Sequence, residues 1–333
     1  MKIGIIGSPQ SGKTVTFKIL LQAKASGNIG ISKTLDERVG KIKDAFSSKK
    51  ATYPEFTFID VGPTSDFSKK DLSKLQDIDL FICVIGAFFS KDPKKDFQKC
   101  LTDIIVSDLE MIQQRLDRLE KEGKRRDAEG EIKVLERCQA CVSEGKPLSQ
   151  LGLTKDEVRL LSGLRFLSLK PLVLAINTLE ENTQEDSGIK TLEEYCHSVG
   201  IAFIRFFGKV ESEVLELAPA ERKKFLEEMG AGYGFREGAS RLIIRELNLI
   251  TFFTTGEKET RGWYLKSGLP VIEAADKIHS DMKRGFIRAE VVNYEDFIKC
   301  GSMAGAREQG ALKVEGKDYI VRDGDILNIR FNV

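Results

Sequence analysis

The eight residues Gly7-Ser-Pro-Gln-Ser-Gly12-Lys13-Thr14 constrain what this chain can fold into more than any other segment. They follow a short apolar run and open a stretch of helical pattern. They therefore read as G-x-x-x-x-G-K-[ST] in the strand, turn and helix context that gives the pattern its meaning. Two glycines let the backbone curl until successive N–H groups converge, and the start of a helix adds its dipole, so the segment is an anion cradle. Gly7, Ser8, Pro9, Gln10, Ser11 and Gly12 form the wall of the candidate nucleotide site. Lys13 brings a point charge for the β- and γ-phosphates and is the candidate catalytic residue. Thr14 brings a hydroxyl for Mg²⁺.

The rest of the first two thirds agrees with such a loop. Residues 2–7, 55–62, 80–88, 172–177 and 202–208 are nearly continuous runs rich in Ile, Val and Phe. Strands buried on both faces of a parallel sheet read this way. Helical stretches between them complete an α/β expectation. Asp60, late in the second run, is the candidate metal carboxylate beside Thr14. After the fourth run comes Asn177-Thr-Leu-Glu180. In the GTPase pattern N-K-x-D the aspartate accepts from the guanine N1–H and exocyclic amine. Here the spacing is kept, but Thr178 and Glu180 replace Lys and Asp. The extra methylene of glutamate moves the carboxylate, which weakens the discrimination that a well-placed polar partner provides. A purine triphosphate site that no longer insists on guanine is expected, with ATP favoured over GTP and Mg²⁺ as the metal.

Two segments break the α/β alternation. Between residues 91 and 165, Ile105, Leu109, Ile112, Leu116 and Leu119 step by four and three, a heptad seam on a long helix. A turn containing Lys124, Arg125 and Arg126 follows, then a second helix carrying Ile132, Leu135 and Val142. The expectation is an antiparallel helical hairpin inserted into a nucleotide-binding domain made of residues 1–90 and 166–249. Its mixed charges read as a solvated outer face, and the basic turn as a weaker candidate for touching a phosphate backbone. From residue 250 to 333 short alternating segments separated by Glu315-Gly316 and Asp323-Gly324 suggest a small α+β domain closed by a hairpin of residues 319–322 and 326–332. Cys138-Gln-Ala-Cys141 stands without a second pair or a thioredoxin-like context, and reads as two small helix residues.

Composition excludes several classes. The 333 residues carry 52 Lys plus Arg against 51 Asp plus Glu, a net charge of +1, so bulk attraction to nucleic acid or anionic lipid is absent. The C-terminal segment is itself neutral. RNA contact there requires an asymmetric face, with Phe286 or Tyr294 as the aromatics if they are exposed. Sequence-specific DNA binding is not expected. No apolar run is long enough to span a membrane, the start lacks the form of a secretory signal, and six unpatterned cysteines make no disulfide framework. A cytosolic protein is expected.

These residues together resemble the YchF/Obg-like ATPase family of phosphate-loop proteins. The likeness rests on Gly7-Ser-Pro9, Leu35-Asp-Glu-Arg38, Asp108-Leu-Glu and Asn177-x-x-Glu180. It is most specific in residues 251–259, 284–290 and 316–325, which resemble the family's TGS domain, a β-grasp module. The resemblance implies a G-protein-like domain with a coiled-coil insertion, ATP bound at least as well as GTP, and association with ribosomes or RNA. The chain departs from the family at Asp60-Val-Gly62-Pro63, where D-x-A-G is usual and proline has no N–H to offer a γ-phosphate. The glycine-rich stretch that follows is replaced by residues 65–70, and the switch I segment is cut short around residues 24–30. The family's Ser-Ala-Lys becomes Phe207-Gly208-Lys209, with Gly208 as a further candidate for the base pocket. Binding is expected to be better preserved than hydrolysis. A scaffold with a relic nucleotide site is the alternative.

Overall fold

In the computed structural model the chain divides into two compact units, Met1–Ser32 with Thr57–Ile243, and Lys33–Phe56 with Ile244–Val333. The residues described are 1–22, 27–62, 75–121, 128–179, 187–228 and 234–332. In chain order the elements begin β1 (Lys2–Gly7), α1 (Lys13–Leu21), β2 (Ile29–Lys33), α2 (Glu37–Phe46), β3 (Lys50–Thr52), β4 (Glu55–Asp60) and β5 (Leu80–Gly86). They continue with α3 (Pro93–Lys121), α4 (Glu129–Ser143), α5 (Lys155–Leu160), β6 (Leu172–Asn177), α6 (Ser187–Val199), β7 (Ala202–Phe206), α7 (Gly208–Val214), α8 (Pro219–Glu228) and α9 (Gly234–Glu246). The C-terminal set is β8 (Leu249–Thr255), β9 (Glu259–Lys266), α10 (Val271–Ile278), α11 (Ser280–Arg284), β10 (Phe286–Asn293), α12 (Tyr294–Cys300), α13 (Met303–Glu308), β11 (Lys313–Glu315) and β12 (Asp325–Phe331).

The first unit is an α/β domain. Its sheet runs β2-β4-β1-β5-β6-β7, and the neighbours from β4 to β7 are parallel. The unbroken apolar runs exist because helices cover both faces. All seven residues of β5 are buried, and on one face Ile6, Ile85 and Ile176 pack against Phe97 and Ile104 of α3 and Leu192 of α6. The third and fifth runs end sooner than their sequence suggests, at Gly86 and Phe206, and after the fifth Gly208 already starts α7. Edge strand β2 carries no signal in the sequence, since only Ser32 of its five residues is buried.

The insertion is a helical hairpin. Arg115 reaches forward to Glu131 and Gln113 to Gln139, so the two helices run in opposite senses. Ile105, Ile112 and Leu119 of the heptad seam meet Leu135, Cys138 and Val142 in one core, with Leu109 and Leu116 half-buried at its margin. Lys124, Arg125 and Arg126 lie outside the described residues. Cys138 and Cys141 are buried here, and loss of solvation raises both thiols, Cys138 to about 11, so neither carries a reactive thiolate. Fully buried Asp108 of α3 holds the returning chain. It accepts from the amides of Leu167 and Ser168 at 2.8 Å and from Ser168 Oγ at 2.6 Å. Burial raises its pKa, and these bonds act in the opposite direction.

The second unit holds the sheet β11-β10-β12-β8-β9-β3. The β8–β9 hairpin is antiparallel, β12 lies parallel to β8, and β10 is antiparallel to both β12 and β11. With α10 after the hairpin, that order is a β-grasp. One face packs on α10 through Val271, Ala274 and Ala275. The other packs on α2, α12 and α13 through Val39, Ile42, Phe297 and Ala306.

Two expectations are corrected in this unit. Residues 33–56 do not stay with the nucleotide-binding domain: β3 extends the C-terminal sheet beside β9. Arg38 bonds Asp36 and Asp323 and lies over the Phe253 ring. The sequence shows that α2 has an apolar face but not which sheet covers it. The closing hairpin is also absent. Residues 319–322 form no strand, Ile320 makes one isolated bridge to Pro270, and β12 sits between β10 and β8 instead.

Candidate nucleotide-binding site

Parallel register brings the carboxyl ends of four strands to one edge of the first sheet. Gly7 of β1 lies beside Val84, Asp60 of β4 beside Ile5, and Asn177 of β6 beside Gly86. Open parallel sheets bind ligands at this edge.

The loop geometry requires its glycines. Gly7 and Gly12 have φ of +147° and +96°. A Cβ would lie 2.2 Å from the Val84 carbonyl oxygen at the first and 2.3 Å from Asn177 Nδ2 at the second. Gln10 adopts a left-handed φ of 62° without being glycine, a strained state of the kind that clusters at binding loops. First-turn amides of a helix have no intrahelical acceptor, and in α1 these belong to Lys13, Thr14 and Val15. Lys13 is buried and folds back along the loop, its Nζ donating to Ser8 O at 2.5 Å and Gly7 O at 3.2 Å. Burial lowers its pKa, and Asp60 acts against that shift. Pro9, Gln10 and Thr14 are exposed at the rim. Asp60 Oδ1 accepts from the amide of Gly62 at 3.1 Å, and its other oxygen has no partner among the described residues. A strand-end carboxylate and an exposed hydroxyl form a hard oxygen set of the kind Mg²⁺ takes.

Asn177 does more than the sequence indicates. Its side chain is buried, with Nδ2 donating to Ser11 O at 3.2 Å and Oδ1 accepting from Gly208 N at 3.0 Å. It clasps the phosphate loop to the start of α7, and Gly208 must be glycine because a Cβ would sit 2.5 Å from Asn177 Oδ1. The Gly208 amide is therefore occupied by Asn177. Glu180 and Pro63 lie outside the described residues. His197 packs edge-on against Phe203, and His279 Nδ1 accepts from Asp281 N at the start of α11, so both are structural.

Two residues have environments that the sequence does not indicate, Ser11 of the predicted loop wall and Glu211, which no motif marks. Ser11 is fully buried, and its Oγ has no hydrogen-bond partner among the described residues. Ser11→Ala is expected to stabilise the first unit by about 1 kcal/mol, the desolvation cost of an unpaired hydroxyl, read as a raised midpoint in urea unfolding. Glu211 of α7 looks like a surface residue in sequence, yet it is 5 % exposed. Its Oε2 accepts from Phe235 N at 2.7 Å at the start of α9. Burial raises it to about 7, against backbone hydrogen bonds from Phe235 and Phe207 and with no cationic partner among the described residues.

The strand order, the glycine-built loop and the Asn177 clasp define a phosphate-loop NTPase domain of the GTPase type, here with a helical insertion and a C-terminal β-grasp module. Residues 249–332 match the YchF GTPase C-terminal family model, described as "Protein of unknown function (DUF933)". The chain is 33% identical to the ribosome-binding ATPase YchF of Bacillus subtilis over 361 residues, covering 99% of each. It is 30% identical to that of Escherichia coli O157:H7, covering 100% of this chain and 99% of the relative. The chain belongs to the YchF family. Among solved structures, the YchF GTPase of Schizosaccharomyces pombe superposes with a TM-score of 0.87 at 20% identity, over 99% of this chain and 97% of that one. A GTP binding protein from Pyrococcus horikoshii gives 0.67 at 18% identity, over 100% of both. The alignment to the Bacillus relative is longer than this 333-residue chain, so that relative has residues with no counterpart here.

Proposed function

We propose that this protein is a Mg²⁺-dependent ATP-binding switch of the ribosome, with ATP preferred over GTP and hydrolysis slow. The observation that carries the reading is the phosphate cradle, in which Gly12 is shaped against Asn177 and Lys13 is poised over the loop carbonyls. In this reading Lys13 exchanges the carbonyls of Gly7 and Ser8 for the β- and γ-phosphates, and the α1 amides bind the β-phosphate. Thr14 and Asp60 hold Mg²⁺, which neutralises phosphate charge. Glu180 in place of aspartate relaxes guanine selection. Proline at position 63 has no amide to offer the γ-phosphate, and no histidine stands in the site as a base, so turnover is slow. Ribosome association comes from the relatives, which are ribosome-binding ATPases.

The test is calorimetric titration of the full chain with ATP and with GTP in Mg²⁺. ATP is expected to bind in the micromolar range and tighter than GTP, with affinity falling on chelation of the metal. If neither nucleotide binds, the site is a relic and the chain acts as a scaffold, the second reading that Pro63 favours.

A further inference from the structure

The C-terminal segment is electrically neutral as a whole, but its charges are not evenly placed. Directly opposed residues of neighbouring strands share a face of a sheet. On one face of this sheet Arg288 of β10 lies opposite Arg330 of β12, and Glu290 lies opposite both Asn328 and Val314. Glu290 is buried and serves several donors at once. It accepts from Asn328 Nδ2 at 2.8 Å, from Arg330 at 3.2 Å and from Arg307 of α13 at 3.4 Å. Both arginines remain largely in solvent, 53% and 68% exposed. Arg288 is also exposed and has no ion-pair partner among the described residues. One carboxylate thus serves two guanidinium groups, and the third, Arg288, is set directly across the strands from Arg330, where like charges repel. Val314, 61% exposed, provides an apolar spot next to them. The aromatic residues that might have offered stacking are used elsewhere, because Phe286 and Tyr294 pack in the two cores.

We propose that this face binds the phosphodiester backbone of RNA, with Arg288, Arg307 and Arg330 as the phosphate contacts. The proposal rests on the ribosome reading above and names the surface and chemistry through which that contact is made. Glu290 holds two guanidinium forks in place, and a planar fork matches a phosphate in bidentate geometry. Bridging phosphates relieve the repulsion between Arg288 and Arg330. With no aromatic platform and no base-reading groups, recognition is of backbone and shape.

The test is fluorescence anisotropy of a labelled RNA hairpin with the full-length chain across a potassium chloride series. For the double variant Arg288→Ala/Arg330→Ala, the slope of log affinity against log salt is expected to fall by about 1.5, from the loss of two phosphate contacts. The double variant also takes a donor from buried Glu290, so Arg288→Ala alone, which leaves every Glu290 donor in place, is the control: it is expected to unfold no lower than the parent and to lose about half of that slope change. Glu290→Gln preserves the shape and removes the neutralising charge, and is expected to bind RNA more tightly. An unchanged slope in the double variant, or no tightening in Glu290→Gln, overturns the proposal. So does loss of ribosome cosedimentation with RNA affinity intact, which would indicate an acidic protein partner. If the parent chain itself fails to cosediment, the ribosome reading falls, while the anisotropy series still decides this one.

Discussion

Gly12→Ala is expected to abolish ATP binding and to cost the first unit about 3 kcal/mol of stability. Two effects combine. An alanine at φ +96° carries left-handed strain of about 1–2 kcal/mol. Its Cβ would also occupy the place of Asn177 Nδ2, 2.3 Å away, and break a buried hydrogen bond to Ser11 O, for a further loss of about 1–3 kcal/mol. The clasp between the phosphate loop and Gly208 opens, and the cradle loses its shape. Lys13→Ala separates the two consequences, because it removes the phosphate charge while leaving both glycines and Asn177 in place. Titration with Mg-ATP and urea unfolding followed by circular dichroism read both variants. The single tryptophan, Trp263, reports only the C-terminal unit. Lys13→Ala should lose ATP and keep the fold, whereas Gly12→Ala should lose both. ATP affinity equal to the parent in Gly12→Ala would overturn this account of the loop.

Glu211→Gln is expected to stabilise the first unit by about 3 kcal/mol above pH 7 and to change little near pH 4.5. The folded carboxyl is held up at about 7 by burial, against an unfolded value of about 4.3. Between these limits the folded state binds the extra proton, so stability falls as pH rises from about 4.5 to 7, by about 1.4 kcal/mol per unit. Above the folded pKa the cost is fully present. The glutamine carbonyl still accepts from Phe235 N, so the cap on α9 survives while the buried charge does not. Urea midpoints at pH 4.5, 6 and 8 measure the difference. Parallel curves for parent and variant would show that Glu211 is solvated in the folded protein.

Much of the α/β unit was legible in the chain because its strands are buried on both faces. β1 and β6 appear in the sequence with their structural limits, and the heptad seam of α3 is visible for the same reason, since an apolar period has only one use in a helix of that length. β2 is not legible, because an edge strand with one buried residue has no hydrophobic contrast. The hairpin expected at residues 319–332 fails for a different reason. A turn dipeptide identifies a reversal of the chain but not the neighbour chosen afterwards, and β12 pairs with β10 and β8.

By itself the sequence determined the local chemistry: a loop whose glycines permit positive φ, a lysine and threonine at the head of a helix, a carboxylate at a strand end, and an asparagine at another. Each follows from backbone sterics or periodicity within a few residues. Only the tertiary structure decided what depends on contact across the chain. It assigned residues 33–56 to the C-terminal sheet, turned Asn177 into the clasp of the phosphate loop, buried Glu211 with no counter-charge among the described residues, and set two arginines on buried Glu290. Those outcomes depend on which surfaces exclude water together, and a linear pattern carries the apolar face of an element without the identity of its partner.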